Sequence, residues 1–355
     1  MDANEPAGKP EPEPEPEAEV PPVQPVPDVE PAPAPDWKRR ESLGSALAQI
    51  AVAAVLLGAG VFWRYHRAEV RLSDAAQVKA ARTQASSDAP EDLKAALAAL
   101  KPAAARGVRE ANALSARLNL ELWRTHGLAE HQAPAREALA LAEQADAPTE
   151  DRYAARALVL LQEGKAGEAE ALYRDVERRG GQSPWLSYAL GRALQQQGDG
   201  PGAAGAYQRA VEAGWKDPGL LASCGEALLE LDRPGDAARA FEAALGREPG
   251  HVRSLAGLAL ARLFEGGAST LAEKAVEAGL ARRDALTPGQ KARVLAAAAE
   301  LERQQSKLDL ARRDAGDAVA AMKPAWPLAE RVQARVLAGA KAAPPRGPGS
   351  QSHPE

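Results

Sequence analysis

The sequence is poor in the residues on which redox and metal chemistry depend: its 355 positions hold one cysteine, two methionines and five histidines. A single thiol excludes an internal disulfide framework and any multi-cysteine metal or cluster site. Aromatic residues are scarce as well, fourteen in all, while Ala and Leu dominate the apolar set, so any core must close through small side chains. Such packing favours layered helices. Basic blocks are missing too. The net charge of −5 conceals an asymmetry, because residues 1–36 carry ten acidic side chains against Lys9 alone, leaving +4 over the remaining 319. A near-neutral body offers little electrostatic grip on a phosphate backbone, so no nucleic-acid partner is expected.

Residues 1–36 hold twelve of the 28 prolines, with Glu and Pro alternating from Glu11 to Glu17. Proline removes backbone donors and the carboxylates repel one another, so a disordered, extended tail is expected over 1–41. Charge is then absent from Leu43 to Trp63, 21 residues whose helical length of about 31 Å matches the ~30 Å hydrocarbon layer of a bilayer. Residues 42–63 are expected to form one transmembrane helix, contacting lipid through 43–63. Trp37, Trp63 and Tyr65 stand where interfacial aromatics belong, and basic residues bracket the run. A cleaved export signal is the weaker alternative, since 42 residues precede the run and Phe62-Trp63-Arg64 is a poor cleavage site.

The charge bias does not point cleanly to one side. Lys38, Arg39 and Arg40 precede the span, and Arg64, Arg67, Arg71, Lys79 and Arg82 follow it. A long tail ending in a basic triplet is awkward to translocate, which favours a cytoplasmic tail and an exported, periplasmic body; the reverse topology is the rival. Residues 64–89 form a juxtamembrane helix and linker, the helix ending near Thr83. Asp88, with Glu91 three residues on, has the capping-box pattern that opens a soluble body over 90–340. The segment 341–355 lacks periodicity and should fray.

Self-similarity decides the architecture of that body. Gly164, Gly198, Asp232 and Gly266 recur every 34 residues, and so do Ala169, Ala203, Ala237 and Leu271, and Tyr173, Tyr207, Phe241 and Ala275. Ser183-Pro184 and Asp217-Pro218 each supply an N-cap followed by Pro at the first helical position. Each unit therefore starts a helix, turns at the Gly or Asp, and starts a second helix. The pattern resembles the tetratricopeptide repeat, most fully in 218–251, with Gly225, Asp232, Ala237, Phe241, Ala244 and Pro249 in order. Units 150–183 and 184–217 match well, 252–285 is degenerate, and 91–146 and 288–323 have helical pairs without the signature, as capping repeats would.

The resemblance implies an all-α, antiparallel helix-hairpin solenoid, preceded by the disordered tail and the transmembrane helix, with the first helix of each unit lining a concave groove. On that register the groove would present Trp185, Tyr188, Arg192, Gln195 and Gln196 from one unit, and Gly219, Ala222, Glu226, Leu229 and Glu230 from the next. Arg253, Leu260 and Phe264 would follow. The partner-binding candidates are Trp185, Tyr188, Arg192, Gln195, Glu226, Glu230 and Arg253. Trp185, Tyr188 and Arg192, spaced by three and four, form an aromatic and basic face for a protein or peptide ligand. Alternatively, Trp185 and Tyr188 pack between neighbouring helices and Arg192 is merely solvated. The Lys/Asn pattern with which some members of the family clamp a terminal carboxylate is missing.

No catalytic constellation emerges. The histidines are scattered, and His126 and His131 are expected on the surface, without zinc-type neighbours. Cys224, beside Gly225, fits an inert core thiol. No nucleophile elbow, phosphate loop or dinucleotide fingerprint occurs, so no enzyme, cofactor or small-molecule substrate is expected. The expectation is a single-pass, membrane-anchored scaffold for protein assembly in a bacterial envelope, with a membrane-anchored holdase for exported clients as the alternative. Arg outnumbers Lys 32 to 12, which suits a GC-rich bacterium.

Overall fold

The computed structural model describes residues 43–144, 149–214, 216–266 and 270–342. The acidic tail of 1–41 and the stretch 343–355 lie outside the described residues. Every regular element among the described residues is helical. Two compact units divide the chain between Arg64 and Tyr65. In the first, helix α1 (Leu43–Ala85) begins with the apolar run, whose large side chains are exposed from Leu47 onward, Leu57 at 71% and Phe62 at 70%. This helix is long and apolar enough to cross a membrane.

In the second unit α1 continues to Ala85, two residues past the expected stop. The following turn departs from the expected capping box. Ala89 is the N-cap of α2 (Pro90–Ala105), no side chain caps that end, and Asp88 takes a φ of +54° with its carboxylate turned inward. Charged partners in the interior hold that carboxylate more strongly than one backbone amide could.

Four hairpins then follow with the predicted period: α5 (Glu150–Gln162) with α6 (Ala166–Arg178), α7 (Pro184–Gln196) with α8 (Gly200–Ala213), α9 (Pro218–Glu230) with α10 (Pro234–Arg247), and α11 (Val252–Phe264) with α12 (Thr270–Leu280). Ser183 and Asp217 cap α7 and α9, accepting from the amides of Leu186 at 3.3 Å and Leu220 at 3.0 Å. Gly164, Gly198, Asp232 and Gly266 take φ of +74°, +86°, +60° and +92°, so the 34-residue recurrence marks the left-handed residue that reverses the chain between paired helices.

Ala169, Ala203 and Ala237 are buried where the second helix of each pair crosses the first. Tyr207 and Phe241 are fully buried one turn later, against glycine backbone. Any Cβ at Gly225 would lie 2.7 Å from the Phe241 ring, and at Gly257 2.3 Å, so the ring is wedged between α9 and α11. Tyr173 is only partly buried, at the edge of a smaller cluster.

Flanking hairpins complete the array: α3 (Arg109–Arg124) with α4 (Gln132–Gln144), and α13 (Pro288–Gln304) with α14 (Leu308–Ala320). Helix α2 packs on α3, and α15 (Pro327–Ala342) on α13 and α14. The first flanking hairpin meets the last. The Gly289 amide donates to the His126 carbonyl at 3.0 Å, and Arg293 donates to the Thr125 carbonyl at 3.0 Å. A Cβ at Gly289 would lie 2.0 Å from that Thr125 oxygen. The winding thus closes on itself, and the inner helices are buried on every side: every residue of α3 from Ala111 to Leu122, and of α9 from Pro218 to Leu229.

Candidate functional site: an arginine-rich cavity inside the closed array

Inner helices bring charge, as well as apolar surface, into the centre. Asp88 is fully buried; it faces His126 at 3.1 Å, His251 at 3.1 Å and the Arg253 guanidinium at 2.5 Å. Burial alone would raise its pKa, but Arg253 and His126 outweigh burial and hold the carboxyl well below its usual range. Glu226, on α9, receives Arg293 through two bonds of 2.5 and 2.8 Å and Arg253 at 3.2 Å. Against the upward push of burial, these two arginines pull its pKa down to about 2. Two carboxylates and two guanidiniums therefore tie the Asp88 turn, α9, α11 and α13 together.

Above this floor lies a cavity of about 330 Å³. Arg117 closes one side, bonded to Asp151 at 2.9 Å and Glu121 at 3.2 Å, with its guanidinium 4.9 Å from the Trp185 ring centre. Trp185 donates to Asp217 at 2.9 Å and meets Tyr188 edge-on, their centroids 5.9 Å apart. Burial pushes the Tyr188 phenol up to about 12, so it stays neutral. Arg192 donates to Glu230 at 2.6 Å, and Gln195 supports the same carboxylate at 2.9 Å while accepting from Tyr207 at 2.6 Å.

Five arginines and three glutamates line this space: Arg117, Arg124, Arg192, Arg253 and Arg293 against Glu121, Glu226 and Glu230. Glu121 carries the weakest negative charge, because burial and the neighbouring Asp88 raise its pKa well above the ordinary value. Arg124 stands apart, with no carboxylate partner among the described residues. It stacks on Trp123 at 5.4 Å, and desolvation together with nearby Arg192 lowers its pKa. The arrangement offers a cationic, aromatic recess suited to an anionic or hydrogen-bond-accepting group.

Six of the seven partner-binding candidates line the cavity: Trp185, Tyr188, Arg192, Glu226, Glu230 and Arg253. Gln195 lies behind, bracing Glu230. Other expectations change. The inner helices do not line the recess alone: residues of α3 and α13 and the turn 324–327 form part of its wall, and it stays partly open. Gly219, Ala222, Leu229 and Leu260 are buried core, and Gly219 is pressed against Asp88 and Glu121. Arg192 is not a solvated side chain; the Glu230 carboxylate sequesters it. His126, expected at the surface, is wholly buried because Asp88 supplies the partner that makes an interior imidazole tolerable. His131 is half-buried and bonds Asn119 at 2.7 Å.

Arg117, Glu121, Arg124, Arg293 and Trp326 were absent from the groove register because they lie outside the four recognised units. One signal for the closure was present: α9, PGLLASCGEALLE, is apolar on nearly every face, the mark of a helix with no solvent side. Among the described residues no group of three His, Cys, Asp or Glu is placed to hold a metal ion.

No protein-family model matches this chain. No curated protein matches it either. Among solved structures, the chain is similar to the crystal structure of the APC/C hetero-tetramer Cut9-Hcn1, at 18% identity and a TM-score of 0.44. That alignment covers 64% of this chain and 42% of the other, less than half its length.

Proposed function

We propose that this protein is a non-enzymatic, single-pass membrane scaffold of a bacterial envelope that holds a partner protein through the central cavity of its helical array. The observation that carries the reading is the convergence of Trp185, Tyr188, Arg192 and Arg124 on one recess, with the Tyr188 hydroxyl making no hydrogen bond among the described residues. At about 330 Å³ the recess takes one or two side chains of a partner, or a chain end, and cannot take an extended peptide along a trough. The bare run from Leu47 to Trp63 supports the anchor, which would raise the partner's effective concentration beside the bilayer. The basic triplet at 38–40 supports a cytoplasmic tail, a body in the periplasm and residence in the inner membrane.

A photo-crosslinking residue at Gln196, on the exposed rim, tests this in intact membranes. One stoichiometric adduct is expected, lost in Arg124→Ala, which breaks no ion pair, and in Tyr188→Phe. Many weak, heterogeneous adducts would instead indicate a holdase. An adduct indifferent to both substitutions would remove the cavity from the interface.

A further inference from the structure

A second concavity lies apart from the central one. Residues 67–82 of α1 and the turn joining α2 to α3 enclose a cleft of about 900 Å³. Arg67, Arg71, Lys79 and Arg82 face it from the helix and Arg106 and Arg109 from the turn, against Asp74 and Glu110 alone. The resulting net charge of +4 equals that of all 319 residues after the acidic tail, so the rest of the body is neutral on balance and its excess charge is gathered here. Folding answers only part of it: Arg106 pairs with Asp74, and Arg82 with Asp151 at 2.5 Å. Arg71, Lys79 and Arg109 are exposed and enter no ion pair among the described residues. Charge of one sign concentrated at a cleft draws in partners of the other.

Spacing and floor narrow what that partner can be. Arg71 and Lys79 are eight residues apart on one helix, a rise of about 12 Å. A single carboxylate or phosphate reaches one of them and leaves the other unanswered. The floor of the cleft is apolar, made by Val70, Val78 and Val108. In an extended chain alternate side chains share a face and each residue advances about 3.3 Å. Acidic residues four positions apart therefore span about 13 Å, with the residue midway turned toward the same surface. We infer that the cleft docks an extended segment of a partner protein carrying two acidic residues four apart and an apolar residue midway. The acids meet Arg71 and Lys79, the apolar side chain covers the valines, and Arg109 adds charge from across the cleft. The surface belongs to one unit of the chain, and the inference needs neither the membrane span nor the central cavity.

The test is fluorescence polarisation of a blocked, dye-labelled peptide, Ser-Gly-Glu-Ser-Leu-Ser-Glu-Gly-Ser, titrated with the full chain in uncharged detergent. Binding should saturate and weaken as salt is raised, since the pairs are solvated. Arg71→Gln, Lys79→Gln and Arg109→Gln should each weaken it by about two- to fivefold, and together by about tenfold or more. Arg174→Gln, Arg178→Gln and Arg179→Gln on α6 remove the same charge and should leave it within about twofold. All six positions are exposed, so every variant should keep the wild-type thermal melt. The same peptide with its two Glu adjacent, or with Ser in place of Leu, should bind more weakly. An unchanged first triple variant, or equal loss in the α6 control, overturns the inference. Equal binding of the rearranged peptides overturns it too, leaving an unspecific cationic surface. Displacement by phosphatidylglycerol vesicles or single-stranded DNA at a lower concentration of charge than the unlabelled peptide requires overturns it in favour of a lipid or a nucleic acid. Tighter binding of a peptide of residues 11–19 overturns it in favour of the chain's own tail.

Discussion

Asp88 is the most consequential single side chain in the closure, and replacing it by Asn isolates its charge. Asn tolerates the φ of +54° that this position requires, so backbone strain stays nearly constant. What is lost is the counter-charge to Arg253 and the acceptor shared by His126 and His251, all three in the interior. Breaking a buried pair by removing one partner costs about 3–5 kcal/mol. At roughly 2–4 °C per kcal/mol for a domain of this order of size, the midpoint of thermal unfolding should fall by about 6–20 °C. Asp88→Ala should fall further, by about 1 kcal/mol, because alanine resists the left-handed conformation.

Acid titration separates charge from shape. The folded carboxyl of Asp88 is depressed, so its contribution is present above the unfolded pKa of about 3.9 and is lost as pH falls through the folded value. The gap in stability between wild type and D88N should therefore be constant from neutral pH to about 4 and narrow below it. Circular dichroism melts of the full chain in detergent between pH 7 and 3 measure both. A midpoint within about 2 °C of wild type, or a gap that stays constant into acid, would refute the view that this carboxylate latches the array.

Three further outcomes follow from the packing. Gly257→Ala should destabilise by about 1–3 kcal/mol despite alanine's better helix propensity, because its Cβ meets the Phe241 ring; Phe241→Leu should relieve most of that, giving strong non-additivity in a thermal double-mutant cycle. Cys224 is buried and its thiol is raised far above the ordinary value by burial, so a thiol reagent should be inert toward the native protein and react once denaturant is added. Glu226→Gln should lower the unfolding midpoint by about as much as D88N, since it leaves Arg253 and Arg293 facing each other with half their counter-charge removed.

The repeat was legible because its markers are local. A left-handed turn admits Gly or Asp, a helix crossing admits Ala, and Ser183 and Asp217 cap the helices they precede, so α5, α7, α9 and α11 begin at the unit bounds that the spacing sets, Glu150, Pro184, Pro218 and Val252. Six cavity residues were legible for the same reason, being fixed points on the inner helices. The closure was not legible. It depends on Asp88 meeting His126, His251 and Arg253 across up to 165 positions, and no local pattern encodes such a meeting. The Asp88–Glu91 spacing even imitated a different device, a helix cap. Arg117 and Arg293 gave no signal because their hairpins lack the Ala and aromatic markers, while their charge resembled that of ordinary surface residues.

A stack of like modules with two free ends can gain or lose a module without penalty to the others, and its stability grows roughly in proportion to their number. Here the Gly289–His126 and Arg253–Asp88 bonds join the ends. The count of modules is thereby locked: deleting one 34-residue unit would rotate the two ends out of register and break both bonds at once. Melting of either end must then release the other, so the body should unfold as a single cooperative block and resist the shuffling of units by which open arrays diversify.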